Sequence, residues 1–196
     1  MVSGQSDHVG DMMGKLIAMS KLTGDPQAIL NEVLEQERRM PDEPMVKVLK
    51  GWAYSKIGDF PKASQAFDRA IELNPQSFWA YFRKGQMLAK RDKYREALAC
   101  FNVAVRLRPK KVDFWLEKAF TEDELGMITV AYHSYDKATQ LGDKTGWAWF
   151  GKARILAFLN RFDDALEAVR AGIKMDPEEP AFKDVEEYVL DKLRGY

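Results

Sequence analysis

The chain has 196 residues, of which 46% are hydrophobic and 12% aromatic, a composition that argues against disorder and indicates a folded protein with a continuous core. Its 30 Lys and Arg residues balance its 30 Asp and Glu residues, so no net charge attracts a polyanion and we expect no nucleic-acid partner. No stretch approaches the ~20 consecutive apolar residues of a membrane span, so we expect no direct membrane insertion.

The single cysteine, Cys100, cannot form a disulfide within the chain, which favours a reducing compartment. Residues 1–10 lack the pattern of a secretory signal, which is a basic flank followed by an apolar run. We therefore expect a cytoplasmic protein.

Proline recurs at a spacing of 34 residues, at Pro41, Pro75 and Pro109 and, two periods later, at Pro177. A fixed period of this length indicates one supersecondary unit copied along the chain. Within each copy, apolar residues at three- and four-residue spacing predict helices, and Gly, Asn and Pro mark their ends. The predicted helix pairs lie at roughly 9–22 and 26–39, 44–57 and 60–73, 78–91 and 94–107, 112–125 and 128–141, and 146–159 and 162–175.

The copies also predict the domain organisation. Residues 10–43 read as a degenerate first repeat, and the repeats that follow span 44–77, 78–111, 112–145 and 146–179. Residues 180–196 predict a last helix without a partner, whose charged side chains would cover the end of the stack. Because each helix pair would contact mainly its neighbours, we expect a single solenoid domain over residues 1–196.

Small residues fill two register positions, where two helices would need to touch. The eighth position holds Gly51, Gly85, Ala119 and Ala153, and the twentieth holds Ala63, Ala97, Ala131 and Ala165. A side chain of one carbon or none lets helix backbones approach closely, so we expect these residues to be buried between helices.

The register resembles that of the tetratricopeptide repeat family, in which aromatic and small residues and a final proline recur over 34 residues. The clearest copy reads Gly51, Tyr54, Gly58, Phe60, Ala63, Phe67, Ala70 and Pro75. The resemblance covers residues 44–179 well and residues 10–43 weakly. It implies an all-α, right-handed superhelical solenoid of antiparallel helix pairs, with about five repeats and a C-terminal capping helix.

Two features depart from the pattern of that family. Lysine fills the seventh position, which is usually apolar, at Lys50, Lys84, Lys118 and Lys152. Glu122 stands where other copies hold Tyr54, Leu88 and Leu156. We expect Glu122 either to distort its helix or to need a partner such as Lys118, four residues before it.

Few residues offer catalytic or metal-binding chemistry. His8 and His133 have no partner at a metal-ligand spacing, and the sequence lacks a glycine-rich phosphate loop. Cys100 aligns with small residues of the other copies, so we interpret it as a packing residue. We therefore expect no enzyme activity and no metal or cofactor.

In the family, the first helices of the pairs line a concave groove, and the resemblance implies a partner-binding groove here. Its expected residues are Trp52, Lys56, Trp79, Phe82, Arg83, Gln86, Phe120, Trp147, Phe150 and Arg154. Aromatic anchors with charges at the rim favour a peptide or partner helix that presents spaced hydrophobic side chains. Filling of gaps between repeats is an alternative role, and it stays open for Trp79 and Trp147.

A subset of the family grips the C-terminal carboxylate of chaperones with Lys, Asn and Arg side chains from three successive repeats. The matching slots in this chain hold Val48, Trp52, Arg83, Asp113 and Glu117. Two acids stand in place of two bases, so we predict that this carboxylate motif does not bind.

These features favour a non-enzymatic scaffold for protein–protein interactions that binds a protein or peptide partner. A structural protein that forms a homo-oligomer through the same aromatic surface is the alternative, because large exposed apolar patches are uncommon on monomers. A small-molecule binder or an enzyme that uses the groove is the third class. The fold alone does not decide among the three.

Overall fold

The computed structural model describes Gly14 and residues 25–195. Residues 25–195 form ten α-helices and no strands, and they divide into two compact units after Arg91. The first unit holds α1 (Pro26–Arg39), α2 (Pro44–Ile57), α3 (Phe60–Leu73) and α4 (Phe78–Ala89). The second holds α5 (Tyr94–Leu107), α6 (Val112–Glu124), α7 (Ile128–Gln140), α8 (Trp147–Phe158), α9 (Phe162–Met175) and α10 (Pro180–Arg194).

These bounds agree with the predicted helices to within two residues wherever the structure describes the chain. Within each unit, successive helices pack against one another in chain order, as expected of an all-α helical-repeat solenoid. The predicted helix at 9–22 lies outside the described residues, except for Gly14, which is helical.

Local side chains and backbone geometry set the helix ends. The carboxylate of Asp25 accepts a hydrogen bond from the backbone N–H of Gln27 at 2.8 Å, and that of Asp59 accepts one from Lys62 at 3.2 Å. These bonds satisfy N–H groups that have no partner inside the first turn. Gly58 ends α2 with a φ of 90°, in the left-handed region that glycine tolerates best.

The small residues of the repeat register lie where the helices touch. Ala63, Ala97, Ala131 and Ala165 are fully buried. At Gly51, an added Cβ would stand 2.7 Å from the ring of Phe67, so only glycine lets this ring lie against the backbone of α2. Buried alanine and glycine therefore bring the two helices of a pair into close contact.

The seventh-position lysines link each repeat to the helix before it. Lys84 reaches Asp68 at 2.5 Å and Lys152 reaches Asp136 at 2.5 Å, in each case the acid 16 residues earlier. Lys50 reaches Glu37 at 2.7 Å. A long side chain can bury its methylene stem while its ammonium group meets an acid at the edge, which explains how lysine replaces an apolar residue there.

Lys118 departs from this arrangement because the residue 16 positions earlier is Asn102, which carries no charge. Its ammonium group instead donates to a carboxylate oxygen of Glu122 and to the hydroxyl of Ser134, the latter at 2.9 Å. Glu122 thus has the partner expected from the sequence, and α6 remains helical through it. Its second carboxylate oxygen is buried with no hydrogen bond to any residue that the structure describes.

Burial should make the Lys118–Glu122 pair far more sensitive to mutation than its counterpart in the first unit. The side chains of Lys118 and Glu122 are 13% and 2% exposed, against 23% and 49% for Lys84 and Asp68. We expect Lys118→Met to lower the free energy of unfolding by about 3–5 kcal/mol, because it leaves a buried carboxylate unpaired. Lys84→Met should cost less than about 1 kcal/mol. Urea denaturation of both variants measures these changes, and equal losses of stability in the two variants would contradict the prediction.

Candidate functional site

A cleft of about 230 Å³ opens on the second unit between α6, α7 and α8. Helix α6 contributes Leu116, Glu117 and Phe120, helix α7 contributes Tyr135, and helix α8 contributes Trp147, Phe150 and Arg154. Four of the residues predicted to line a groove, namely Phe120, Trp147, Phe150 and Arg154, therefore lie together at one site.

Two large aromatic side chains at this cleft face solvent. Phe120 is 43% exposed and Trp147 is 40% exposed. The side chain of Phe150 is half-buried beside them. Burying such rings in a complex releases apolar area from water, so the cleft offers an apolar contact surface to a partner.

A cluster of three aromatic rings holds the α8 wall in place. The ring centroid of Trp147 lies 5.3 Å from that of Phe150 and 5.2 Å from that of Phe182, and Phe150 and Phe182 are 5.2 Å apart. Phe182 belongs to α10 and is fully buried. Since these spacings are typical of favourable ring pairs, α10 fixes one side of the cleft as well as closing the core.

The floor of the cleft is the ring of Tyr135, which is buried against α8. An added Cβ at Gly151 would stand 2.4 Å from this ring, so glycine at that position allows the contact. Burial raises the pKa of the Tyr135 phenol well above its ordinary value of 10.0, and the nearby Asp123 carboxylate adds to the shift. The floor is therefore an uncharged phenol ring at any ordinary pH.

One ion pair joins α6 to α8 through Arg154, a residue that lines the cleft. A guanidinium nitrogen of Arg154 lies 3.5 Å from a carboxylate oxygen of Asp123, and the guanidinium sits 5.8 Å from the ring centroid of Phe150. Burial raises the pKa of Asp123 above its ordinary value of 3.8, Arg154 opposes this shift, and Glu124 adds to it. The charge of Arg154 is thus partly offset within the protein itself.

The other predicted groove residues come together in the first unit, but mainly as a packed cluster. The Arg83 guanidinium lies 5.9 Å from the ring centroid of Trp52, 5.8 Å from that of Trp79 and 5.9 Å from that of Phe82. Lys56 lies 5.8 Å from the Trp52 ring. Arg83 also donates a hydrogen bond of 2.9 Å to Gln86.

Burial separates these aromatic residues from those of the second unit. Trp52 is 9% exposed and Phe82 is 4% exposed, whereas Trp79 is half-buried. Two of the expected anchors therefore contribute mainly to packing within the first unit, since little of their apolar area remains to be covered by a partner. The assignment of this cluster to a binding groove stays a prediction.

The residues predicted to line a groove included neither Tyr135 nor Phe182. Tyr135 occupies the register position of Phe67 and Phe101. Gly151 occupies the register position of Leu49, Arg83 and Glu117, which is not a small-residue position, so the sequence gives no signal for the contact of Tyr135 with Gly151. Phe182 follows the last copy, so the 34-residue register gives no signal for it.

The residues considered for chemistry remain apart. His133 is exposed on α7, its ring centroid 5.9 Å from that of Tyr132, and Cys100 is half-buried on α5. Within residues 25–195 and Gly14, no three His, Cys, Asp or Glu side chains gather in a group that could hold a metal ion. His8 lies outside the described residues. None of the described helices is both long enough and apolar enough to span a membrane.

Adding a methyl group at Gly151 should disturb the floor of the cleft. We expect Gly151→Ala to lower the free energy of unfolding by about 1–3 kcal/mol, because the new Cβ overpacks the Tyr135 ring. Chemical denaturation measures this loss. Gly126→Ala, at a turn where an added Cβ meets nothing within 4 Å, is the comparison variant, since it tests backbone strain without overpacking. A Gly151→Ala variant as stable as the unmodified protein would contradict the close contact.

The raised pKa of Asp123 predicts a pH dependence. A carboxyl group whose folded-state pKa lies above its unfolded value favours folding while it is protonated, and this contribution is lost as the pH rises through the folded pKa. We therefore expect the stability of the Asp123→Asn variant to rise relative to that of the unmodified protein as the pH rises from below 3.8 towards neutrality. Stability here is the free energy of unfolding. Urea titrations across that range measure the difference. A difference that does not change with pH would show that burial does not perturb this group.

A family model described as tetratricopeptide repeat matches residues 48–119 and 128–183. The chain belongs to the tetratricopeptide repeat family. The match includes α7, α8 and the first part of α6, up to Ala119, and it confirms the resemblance seen in the sequence.

Relatives and solved structures agree with this assignment. An Hsp70-Hsp90 organizing protein of Triticum aestivum is 24% identical over 122 residues, which are 62% of this chain and 21% of that protein. The chain thus spans about a fifth of this relative's length. The structure of YrrB, described as a TPR protein with an unusual peptide-binding site, superposes with a TM-score of 0.72 at 18% identity, covering 83% of this chain and 84% of YrrB.

The structure of a thermophilic TPR protein of Thermus thermophilus, TTC0263, superposes with a TM-score of 0.69 at 18% identity. The superposition covers 93% of this chain and 98% of TTC0263. Identities at this level show a shared fold, the all-α helical-repeat solenoid, and they agree with the prediction from the sequence.

Proposed function

We propose that this chain is a non-enzymatic scaffold that captures a peptide or helix of a partner protein in the cleft between α6, α7 and α8. The observation that carries the proposal is the exposure of Phe120 and Trp147, 43% and 40%, at the mouth of a formed cavity. The partner would insert at least one apolar side chain between these two rings, above the Tyr135 floor.

The size of the cleft supports a side chain of a polypeptide over a free small molecule. Its volume of about 230 Å³ is below the ~300–1,000 Å³ of typical small-molecule sites. Each desolvated aromatic anchor contributes roughly 1.5–3 kcal/mol, whereas association costs roughly 4–15 kcal/mol. Useful affinity therefore needs further contacts along the bound segment, which a peptide or helix supplies and a small molecule does not.

The comparisons support a protein partner in general terms. Family membership favours an interaction scaffold, and YrrB is described as having a peptide-binding site. We do not extend the proposal to the carboxylate motif of chaperones, because Asp113 and Glu117 place negative charge in slots where that motif needs bases. We keep the cytoplasm as the proposed location, since Cys100 has no second cysteine with which to form an internal disulfide.

Removing either exposed ring should weaken capture and leave the fold intact. We expect Phe120→Ala and Trp147→Ala each to weaken the binding of peptides selected from a random display library about ten-fold or more. Biolayer interferometry measures affinity, and circular dichroism checks that helicity is retained. Tyr188→Ala is the matched control, because Tyr188 is an exposed aromatic residue on α10 that does not line the cleft. Loss of helicity in step with binding would assign the rings to the core and contradict the proposal.

Self-assembly is the competing use of the same surface. Sedimentation velocity distinguishes it, because a homo-oligomer would form with increasing concentration in the absence of any peptide. If Phe120→Ala and Trp147→Ala dissociate such an oligomer and no library peptide binds, the cleft is a contact between copies of this chain and the proposed capture of a partner is wrong.

A further inference from the structure

We infer that a polar cavity of the first unit binds a phosphate group, held by the ammonium groups of Lys47 and Lys50. The cavity has a volume of about 270 Å³ and opens between α1, α2 and α3. Its lining residues differ from those of the cleft in the second unit, so this inference goes beyond the proposed capture of a peptide and does not depend on it.

Two lysines of α2 share a single acid of α1. The ammonium nitrogen of Lys47 lies 2.5 Å from one carboxylate oxygen of Glu37, and that of Lys50 lies 2.7 Å from the other. Burial acts to raise the pKa of Glu37, but the hydrogen bonds and charges of the two lysines outweigh it and hold this pKa below its ordinary value of 4.5. Glu37 is therefore a carboxylate at neutral pH, and two positive charges face one negative charge.

The surplus positive charge is partly withdrawn from water. The side chains of Lys47, Lys50 and Glu37 are 12%, 24% and 19% exposed. An ammonium group has three N–H donors, and each lysine uses one of them on Glu37. Because a charge that leaves water needs a compensating charge, an anion that accepts the remaining donors would be attracted to this cavity.

The two cations at the mouth of the cavity have acids of their own. Lys62 lies 2.7 Å from Asp59. Arg69 lies 3.0 Å from Glu72 and 3.8 Å from Asp42. These pairs are largely exposed, so their charges offset one another and are screened by solvent. The surplus charge therefore belongs to the more buried lysine pair of α2.

The register position of Lys47 distinguishes this repeat from the others. The same position in the other three copies holds Tyr81, Trp115 and Trp149. In two copies the ring lies beside the seventh-position lysine, with Lys118 at 5.5 Å from the Trp115 centroid and Lys152 at 5.1 Å from the Trp149 centroid. A second cation thus stands where a ring would attract the ammonium group, and packing of the repeat does not explain it.

Neutral donors also line the cavity. The hydroxyl of Tyr54 and the side-chain amide of Gln65 are among its lining groups, and both can donate hydrogen bonds. The register position of Tyr54 holds Leu88, Glu122 and Leu156 in the other copies. The hydroxyl is therefore another feature of this repeat that the repeat pattern does not require.

This set of donors suits a phosphate group better than a carboxylate. A phosphate monoester carries a charge of about −1.5 to −2 at pH 7 and has three strong acceptor oxygens, whereas a carboxylate has one charge and two oxygens. The cavity volume is below the ~300–1,000 Å³ of typical small-molecule sites. It therefore fits the phosphate group itself and not a whole nucleotide.

Isothermal titration calorimetry of the full chain with inorganic phosphate tests the inference, at low ionic strength and about pH 8, where phosphate is mainly a dianion. We expect phosphate to bind roughly ten-fold more tightly than acetate, because it offers a second charge and a further acceptor oxygen. The inference is overturned if phosphate does not bind or if acetate binds as tightly.

Substitutions of Lys47 locate the site. Lys47→Gln leaves Lys50 and Glu37 as a matched pair, so the variant should stay folded and bind phosphate roughly ten-fold more weakly. Lys47→Trp introduces the residue of two other copies, and its ring should fill the cavity and abolish binding. Circular dichroism checks that each variant keeps its helices.

Lys84→Gln is the matched control. It removes the same charge from the seventh position of the next repeat, where one lysine meets one acid, Asp68. The affinity for phosphate should stay unchanged. If Lys47→Trp binds phosphate as tightly as the unmodified chain, or if Lys84→Gln weakens binding as much as Lys47→Gln, the ion does not occupy this cavity and the inference is wrong.

A phosphoserine peptide and its unphosphorylated counterpart identify the source of the group. Tighter binding of the phosphoserine peptide than of inorganic phosphate, lost in the unphosphorylated peptide and in Lys47→Trp, would support a phosphorylated polypeptide. Equal affinities of the phosphoserine peptide and inorganic phosphate would support free phosphate or a small phosphate ester. Equal binding of the two peptides, together with no binding of inorganic phosphate, would overturn the inference.

Discussion

The structure depends on the close approach of neighbouring helices at points where one of them carries alanine or glycine. Ala63, Ala97, Ala131 and Ala165 are fully buried, and the ring of Tyr135 lies against the backbone at Gly151. Interiors pack at nearly constant density, so a larger side chain at such a point must displace its neighbour. The same contacts set the separation of α6, α7 and α8, and the cleft is the space that their remaining side chains leave between them.

Charged residues also take part in this packing. Lysines at an otherwise apolar register position meet acids on the preceding helix, which lets a chain with no net charge hold its repeats together through matched pairs. Where the matching acid is missing, at Asn102, Lys118 pairs inside its own helix with Glu122. Removing one member of a buried ion pair lowers the free energy of unfolding by more than the intact pair contributes to it. The residue at one position of such a pair therefore restricts which residue the other position can hold.

Most of the fold could be predicted from the sequence, and part of the site. The ends of the helices could be predicted from the proline period and from residues such as Gly58, because a helix is ended by residues close to that end in the sequence. The register also gave the helix face on which Phe120 and Trp147 lie. It could not tell them from Trp52 and Phe82, which share that face but are buried, because exposure depends on how neighbouring side chains such as Arg83 fold over the rings. Phe182 was missed because it lies beyond the last copy of the repeat.

The position of Phe182 links helix α10 to the wall of the cleft. A terminal helix in a repeat array is often regarded as a cover that keeps the last hydrophobic face from water. Here its buried ring also touches Trp147 and Phe150, two residues that line the cleft. The array therefore cannot be lengthened by inserting a further repeat before residue 180 without supplying an equivalent ring.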